Sequence, residues 1–289
     1  MCRRSWAVLF GAHMSIAGGF DKAVDRAVQV GCDAVQIFTK SSNQWRARPI
    51  APDEVERFRA RLQEAGIRSV VAHDSYLINL ASPDDQLWEK SIAAFREELE
   101  RCELLGIPYL VTHPGSCGEA GEEAGIRRVA EALNRLHDDL PGYQVKTLLE
   151  VTAGQGTSLG YRFEQLAAIT ERVREPERVA YCFDTCHVFA AGYELRTPEG
   201  YAATMEEFDR VLGLDRLLVF HLNDSKRDLG SRVDRHEHIG KGKIGLDGFR
   251  QLVNDPRFRE HPALLETEKS PDLHEDVENL RVLRSLVAG

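Results

Sequence analysis

The chain has 289 residues, of which 43% are hydrophobic and 29% are charged, the composition of an ordinary globular protein. Its apolar runs are shorter than the roughly 20 residues that a membrane-spanning helix needs, so we expect no membrane protein. The formal net charge of −9 argues against a simple nucleic-acid binder, because such proteins are usually basic. Bound cations would change that balance.

The N-terminal segment MCRRSWAVLFGAHMS superficially resembles a signal peptide, because two arginines precede a short apolar stretch. No small-residue cleavage site separates that stretch from His13, so we interpret it as a first strand. The six cysteines are scattered without a C-x-x-C pair, which favours reduced thiols in a cytoplasm over a disulfide framework. They are Cys2, Cys32, Cys102, Cys117, Cys182 and Cys186.

Short apolar runs alternate with longer amphipathic segments from one end of the chain to the other. The runs predict strands at 6–13, 33–39, 69–74, 109–115, 146–152, 179–185, 217–224 and 263–268. Helical patterns cover 21–31, 52–66, 85–106 and 122–140. Gly31, Gly66 and Gly106 follow the ends of three such patterns, and Pro52 and Pro83 open two of them.

Eight strand–helix units without a domain break predict an α/β protein with a parallel sheet. Eight such strands close naturally into a TIM (β/α)8 barrel, which we expect as a single domain over residues 1–289. A doubly wound open sheet is the alternative. It is disfavoured because no G-x-G-x-x-G motif follows the first strand.

The residues at or just beyond the predicted strand ends carry most of the chemistry. They are, in chain order, His13, Thr39, His73, His113, Glu150, Asp184, His221 and Glu266. In a β/α barrel the C-terminal strand ends all point to one face, where active sites form. A lone histidine there would more often be structural. Because all but the threonine could bind a metal or transfer a proton, the pattern indicates a site.

Two short motifs extend this set: FDTCH places His187 near Asp184, and VDRH places His236 near Asp234. Imidazole and carboxylate ligands without thiolate are typical of catalytic zinc or manganese. The candidate metal ligands are His73, His113, Glu150, Asp184, His187, His221, Asp234, His236 and Glu266. One catalytic ion usually holds about three protein groups, so we expect two or three ions. Clustered ions suit phosphoryl transfer.

Long motifs closely resemble the endonuclease IV family of apurinic/apyrimidinic (AP) endonucleases. They run in order from about residue 10 to 268 and include GAHMSIAGG, FTKSSNQWR, HDSYLINLASP, THPGS, FDTCHVFAAGY, HLNDSK, GSRVDRHEHIGKGKIG and LLETE. The resemblance implies a TIM barrel that hydrolyses the phosphodiester 5′ to an abasic site in double-stranded DNA. The products would be a 3′-hydroxyl and a 5′-deoxyribose phosphate, as in base excision repair.

The same resemblance implies three zinc ions per chain, with manganese an alternative at one position. Its ligand sets would be His73, His113 and Glu150; Glu150, Asp184, His221 and Glu266; and His187, Asp234 and His236. Glu150 would bridge the first two ions. Glu150 and Glu266 would be the catalytic carboxylates, beside a metal-bound hydroxide that attacks the phosphate. Three divalent ions would also offset about two-thirds of the negative net charge.

The resemblance also places DNA-binding residues on the loops at the barrel mouth. They are Asn43, Trp45, Arg46, Tyr76, Leu77, Lys226, Arg232 and Arg235. Tyr76 and Leu77 would wedge into the duplex at the abasic site, where the missing base leaves a gap in the stack. Lys40, Arg46 and Arg48 are expected to form a small positive patch for phosphates.

Two positions depart from the pattern of the family. Asn43 stands where some relatives have an arginine that also enters the DNA. Val151 follows Glu150 where an asparagine is common. Since the carboxylate itself is retained, we expect this second change to alter the surroundings of the ligands rather than metal binding.

Several residues near these motifs have plainer interpretations. His13 is expected close to the ligands without binding metal itself. His137 is expected on a solvated helix face. Cys182 and Cys186 flank Asp184 and are expected to be packing residues, since small thiols bury well.

Two other functions are compatible with parts of the pattern. A divalent-metal sugar isomerase of the xylose-isomerase-like type would share the barrel and the strand-end ligands. The additional Asp234–His236 pair and the basic loops argue against it. A non-catalytic DNA-damage sensor would use metals only structurally. We further expect a monomer without an obligate protein partner, acting in the cytoplasm at the nucleoid.

Overall fold

Strands and helices alternate along the chain in the order that the apolar runs predict. The structure is a computed structural model that describes residues 8–288. Cys2 and residues 6–7 of the predicted first strand lie outside the described residues.

The strands are short and most of them end at a polar residue. They are β1 (Leu9–His13), β2 (Ala34–Phe38), β3 (Ser69–His73), β4 (Tyr109–Thr112), β5 (Lys146–Glu150), β6 (Val179–Asp184), β7 (Leu217–His221), β8 (Asp224–Ser225), β9 (His236–Glu237) and β10 (Pro262–Leu265).

The helices vary from two to six turns. The α-helices are α1 (Phe20–Val30), α2 (Pro52–Ala65), α3 (Asp85–Leu105), α4 (Glu122–Asp139), α5 (Phe163–Thr170), α6 (Thr185–Ala191), α7 (Pro198–Leu212), α8 (Gly245–Val253) and α9 (His274–Ser285). Short 3-10 helices lie at Gly118–Ala120, Pro176–Arg178, Leu214–Arg216 and Pro256–Phe258. Within residues 8–288, no helix has the length and apolar character to cross a bilayer.

Eight of the strands form a closed barrel in the order β1-β10-β7-β6-β5-β4-β3-β2. β10 pairs in parallel with both β1 and β7, so the last strand of the barrel closes it onto the first. The predicted TIM barrel is therefore confirmed, and the alternative prediction of an open doubly wound sheet is wrong. β8 and β9 form a separate antiparallel pair in the long segment after β7.

Alternate residues of each barrel strand point into the barrel, because side chains in a strand alternate between its two faces. A small apolar layer fills the interior and contains Leu9, Ala34, Val71, Val111, Leu148, Ala180, Cys182, Val219 and Leu264. Two residues beyond members of this layer, on the same face and nearer the barrel mouth, are Gln36, His73, His113, Glu150, Asp184, His221 and Glu266. The strand period thus directs polar side chains from most of the strands to one place.

Helix ends mostly follow the turn chemistry of the sequence. Gly31 ends α1 in the left-handed region, with φ of 79°. Pro52 is the first residue of α2. The prediction that Pro83 opens a helix is wrong, because Asp84 caps α3. The Asp84 carboxylate accepts a hydrogen bond from the Leu87 backbone N–H at 2.7 Å.

Candidate metal centre

Glu150, the last residue of β5, lies at the barrel mouth with four imidazoles around it. Its Oε2 atom is 3.2 Å from Nε2 of His73 and 3.2 Å from Nε2 of His113. Its Oε1 atom is 3.1 Å from Nδ1 of His187 and 3.1 Å from Nδ1 of His221. The carboxylate is fully buried, so groups of the site rather than water must compensate its charge.

Two further carboxylates extend the cluster on the side of His221. Glu266 Oε2 lies 3.2 Å from His221 Nδ1, and Asp184 Oδ2 lies 4.0 Å from the same nitrogen. Asp184 Oδ2 is also 3.5 Å from Nε2 of His236. Together with Glu150, three carboxylates therefore face one ring nitrogen.

A third group forms between α6 and the segment after β7. The Nε2 atoms of His187 and His236 are 3.4 Å apart, and Asp234 oxygens lie 3.3 Å from the first and 3.4 Å from the second. The other ring nitrogens face backbone carbonyls, Val151 O at 3.1 Å from His187 and Glu266 O at 3.3 Å from His236. Each ring can therefore donate outward and present a lone pair inward. The lone pairs of the two Nε2 atoms would then face and repel each other, so a proton or a cation must lie between the rings of His187 and His236.

The nitrogen and oxygen atoms fall into compact sets that fit divalent cations. The candidate ligand atoms of each set lie within 4.8 Å of one another. The first set is His73, His113 and Glu150, the second is Glu150, Asp184, His221 and Glu266, and the third is His187, Asp234 and His236. A tetrahedral zinc ion keeps its nitrogen and oxygen ligands roughly 3.3 Å apart. The short distances within the sets are close to that spacing, and the donors are of the type that zinc and manganese accept.

Proton binding and cation binding compete in this site. Burial would lower the pKa of His73, but the hydrogen bond and charge of Glu150 outweigh it and raise that pKa to about 10. Burial would also lower the pKa of His187, whereas the carboxylates of Asp184 and Asp234 raise it well above its ordinary value. Burial favours protonation of Glu150, yet the imidazoles hold its pKa well below the usual range. A cation must therefore displace protons from the rings.

Two cysteines lie close enough to this cluster to be considered as ligands. Cys182 lies beside Glu150, and Cys186 lies beside Asp184. Burial raises the pKa of both thiols to about 12, so they are neutral at physiological pH and poor ligands compared with thiolates. Both side chains are fully buried, Cys182 in the apolar layer of the barrel interior and Cys186 on α6.

Comparison with known proteins identifies the family of the chain. A family model described as a xylose isomerase-like TIM barrel matches residues 24–286. A protein of Chloroflexus aurantiacus named "Probable endonuclease 4" is 59% identical over 280 residues, which cover 97% of this chain and 98% of that relative. The chain belongs to the endonuclease IV family.

Solved structures separate this family from sugar enzymes of the same fold. Endonuclease IV from Thermus thermophilus matches with a TM-score of 0.85 and 41% identity, covering 96% of this chain and 98% of that chain. A D-allulose 3-epimerase from Methylomonas sp. matches with a TM-score of 0.67 and 18% identity, covering 96% of this chain and 97% of that chain. The likeness to the epimerase therefore shows the fold alone and does not support the sugar-isomerase alternative.

Asn223 and Asp74 orient candidate ligands of this endonuclease IV family member. Both residues are buried, and neither was predicted from the sequence. The Asn223 side chain donates to Asp184 Oδ2 at 2.6 Å and accepts from the Glu266 backbone N–H at 2.8 Å. The backbone carbonyl of Asp74 is 2.9 Å from His73 Nδ1, which leaves Nε2 of that ring facing Glu150. The signal for Asn223 was a polar residue within an otherwise apolar run, whereas the Asp74 contact is made by a backbone carbonyl and has no side-chain signal.

Two histidines outside the ligand sets differ in their surroundings. His13 Nδ1 lies 3.1 Å from the side-chain amide nitrogen of Gln36, so His13 is close to the cluster, as expected. The expectation of a solvated His137 is wrong. Only 4% of this residue is exposed, because it lies on the face of α4 that packs against the core, and burial lowers its pKa to about 4.

Tyr76 stands at the rim of the mouth, three residues after His73. It is 66% exposed, although its ring packs edge-on against Phe38 with 5.4 Å between ring centres. Leu77 beside it is half-buried. A large apolar side chain that is this exposed next to a cluster of polar groups is available to a binding partner.

The remaining candidates for DNA contact lie on the segments after β2 and β7. Asn43, Arg46, Lys226, Arg232 and Arg235 are exposed, and Trp45 is half-buried. The Lys90 ammonium lies 4.1 Å from the centre of the Trp45 ring. Arg232 Nε donates to the carbonyl of Gly154 at 3.0 Å, which ties this arginine to the loop after β5.

The prediction of a positive patch for phosphates is wrong for two of its three residues, Lys40 and Arg48. Lys40 is buried, with its ammonium 3.8 Å from carboxylate oxygens of both Glu97 and Glu98. Arg48 is exposed but forms a two-pronged ion pair with Glu54, at 2.6 Å for each contact. Since both charges are matched within the protein, they offer little to a phosphate.

A buried carboxylate fastens the loop that carries the third ligand set. Asp224 accepts hydrogen bonds at 2.8–3.3 Å from backbone N–H groups of Ser225, Gly240, Gly242, Ile244 and Gly245. Asp234 and His236 lie between the two ends of this loop. The carboxylate therefore fixes both ends of the segment that presents them.

Proposed function

We propose that this chain is a metal-dependent AP endonuclease of base excision repair. It hydrolyses the phosphodiester 5′ to an abasic site in double-stranded DNA and leaves a 3′-hydroxyl and a 5′-deoxyribose phosphate. The observation that carries the proposal is the convergence of five imidazoles and four carboxylates at the mouth of the barrel. The 59% identity to a protein named as an endonuclease supports the choice of DNA over a sugar substrate.

The proposal includes three zinc ions per chain, with manganese an alternative at one position. Their ligands would be the three sets of nitrogen and oxygen atoms described above, in the grouping that the family resemblance implies. Divalent cations held there would supply a deprotonated water at neutral pH and would stabilise the charge that develops on the phosphate. They would also offset the negative charge of the site, which otherwise repels DNA.

Glu150 and Glu266 are the proposed catalytic carboxylates. Glu150 presents one oxygen to the ring pair His73 and His113 and the other to His221, so it can link two ligand sets. Glu266 presents one oxygen to His221 and is 16% exposed, which places it at the boundary between the buried cluster and the open mouth. A phosphate that enters the mouth would meet this carboxylate next to the cations.

The proposed DNA contacts surround that boundary. Arg46, Lys226 and Arg235 are exposed cations that can reach phosphates, and Tyr76 and Leu77 are the proposed wedge. The proposed wedge offsets part of the stacking that the duplex loses at an abasic site. The single-domain extent over residues 1–289, the monomeric state and the cytoplasmic location remain predictions.

Parallel assays would test the function. The purified protein is incubated with a duplex oligonucleotide that contains one abasic site, with the undamaged duplex, and with a keto-sugar. We expect cleavage of the first substrate alone, with 5′-deoxyribose phosphate and 3′-hydroxyl ends. Sugar turnover without strand cleavage would overturn the proposal in favour of the isomerase alternative.

Tyr76→Ala is expected to weaken binding to abasic DNA about 10-fold or more while metal content stays unchanged. Loss of one stacked aromatic side chain typically costs about 1–3 kcal/mol of binding free energy. Leu104→Ala is the matched control, because Leu104 is also an exposed apolar residue but lies at the end of α3 away from the mouth. Fluorescence anisotropy with labelled abasic duplex measures both. Equal affinity of Tyr76→Ala and wild type would refute the wedge.

A further inference from the structure

Gln36 is a polar residue at the centre of an otherwise apolar strand, AVQIF in β2. It is fully buried, and it points into the barrel two positions beyond Ala34 of the interior layer. A buried amide costs free energy unless its donors and acceptor are paired. The contacts of Gln36 therefore indicate what this residue does.

The amide of Gln36 joins two strands that lie far apart in sequence. Its Nε2 atom lies 2.5 Å from Glu266 Oε1 and 3.1 Å from His13 Nδ1. Its Oε1 atom lies 2.8 Å from His221 Nε2. One side chain thus contacts one of the proposed metal ligands through each end of its amide.

The chemistry of these partners sets the orientation of the amide. The ionised carboxylate of Glu266 can only accept, so the NH2 group of Gln36 must face it. Burial lowers the pKa of His13 to about 3, so that ring is neutral and its Nδ1 atom can accept as well. The carbonyl oxygen of Gln36 is left to face His221, and Nε2 of that ring must donate to it.

This arrangement orients the ring of His221 so that its lone pair is available to a cation. Since Nε2 carries the hydrogen, the lone pair of the neutral ring is on Nδ1, which faces Glu150 at 3.1 Å and Glu266 at 3.2 Å. Gln36 also holds Oε1 of Glu266, which leaves Oε2 of that carboxylate facing the same nitrogen. Both ligand atoms are thereby directed at one point.

We propose that Gln36 is a positioning residue for the second ligand set, fixing the tautomer of His221 and the rotation of Glu266 and so raising the affinity of that set for a divalent cation. This inference rests on the proposed function for the presence of the cations. Within residues 8–288, the side-chain hydrogen bonds of Gln36 reach no ligand outside the second set, so its loss should affect one ion of the cluster.

Gln36→Met tests the proposal, because methionine has a similar size and shape but lacks both the donor and the acceptor. Wild-type and variant proteins are loaded with zinc, dialysed against buffers of graded free zinc concentration, and analysed for metal content. We expect the variant to lose about one ion at a free zinc concentration 10- to 100-fold higher than wild type requires for the same loss. The remaining ions should be released at the concentrations seen with wild type.

Thr170→Val is the matched control. Thr170 is buried and accepts a hydrogen bond from Tyr181 at 2.9 Å, outside the ligand sets, so this variant is destabilised without a change at the metal centre. Its zinc retention should equal that of wild type. Equal zinc loss from Thr170→Val and Gln36→Met would attribute the effect to general destabilisation and overturn the proposal.

Gln36→Asn keeps the inference testable if the methionine variant does not fold. Its shorter side chain cannot hold His221 and Glu266 together, so we expect reduced affinity for one ion here too. Wild-type retention in every folded variant at position 36 would overturn the role of Gln36 and leave the proposed function intact. Failure of wild-type protein to retain any divalent ion would overturn both.

Discussion

Glu266→Gln is expected to reduce cleavage of abasic DNA by about 10²- to 10⁴-fold, with folding and much of the DNA affinity retained. The change removes one negative charge from the boundary between the ligand cluster and the mouth, where the phosphate would react. The proposed DNA contacts on the rim do not involve this side chain. The measurement is single-turnover cleavage of an abasic duplex beside its equilibrium binding.

The neighbours of Glu266 explain why a carboxamide cannot replace the carboxylate. One oxygen accepts from Gln36 at 2.5 Å, and the other faces His221 Nδ1 at 3.2 Å. An amide has one oxygen and one NH2 group. If its oxygen accepted from Gln36, its NH2 group would face the cation position; if it turned over, two NH2 groups would face each other. Either orientation weakens the second ligand set.

Glu268→Gln provides the control for this prediction. Glu268 lies two residues further along the chain, is exposed, and carries the same charge. We expect its replacement to leave cleavage within about 2-fold of wild type, because an exposed charge is screened by solvent. Wild-type function in Glu266→Gln would contradict a catalytic role and favour the damage-sensor alternative, in which metals are only structural.

Most of the inward-facing cluster could be predicted from the sequence because it follows two regular rules. Strand side chains alternate between faces, and the C-terminal ends of the barrel strands meet at one mouth. His73, Glu150 and His221 all obey both rules. Gln36 obeys the first rule but lies at the centre of its strand. It was not predicted, since an amide is not a typical metal ligand and its role depends on the partners that the fold brings to it.

His187 shows how a local cap can extend a prediction beyond the strands. Asp184 ends β6 and caps α6, and its carboxylate accepts from the His187 backbone N–H at 2.9 Å. The cap places His187 in the first turn of the helix, close to the strand end. The three-residue spacing in FDTCH is therefore a structural signal as well as a chemical one.

Residues on loops could not be placed from the sequence because distant groups decide their positions. Lys40 was expected to be free for phosphates, but Glu97 and Glu98 of α3, nearly sixty residues away, pair with it. The loop with Asp234 is held by Asp224 through backbone N–H groups, which no side-chain pattern reveals. Such contacts depend on tertiary structure rather than on local periodicity.

Removal of the metals is expected to abolish cleavage and to lower the Tm of the protein by about 10 °C. A ligand at a free concentration of about 1,000 times its Kd stabilises the folded state by about 4 kcal/mol. The Tm of a large single domain shifts by about 2–4 °C for each kcal/mol of stabilisation. The purified protein should cleave without added magnesium, because the proposed bound ions would suffice. Readdition of zinc should restore both properties. Full activity after elemental analysis has verified metal removal would refute the mechanism.

The loaded and metal-free proteins should respond differently to pH. In the metal-free form the pKa of His73 is raised from 6.5 to about 10, so the stability that its protonated ring contributes is complete below pH 6.5. That contribution is lost as the pH rises toward 10. The loaded form requires neutral rings, so proton competition decreases over the same interval and metal binding strengthens. The difference in Tm between the two forms should therefore widen from about pH 6.5 to about pH 9. A difference that narrows over this interval would show that protons and cations do not compete for these imidazoles.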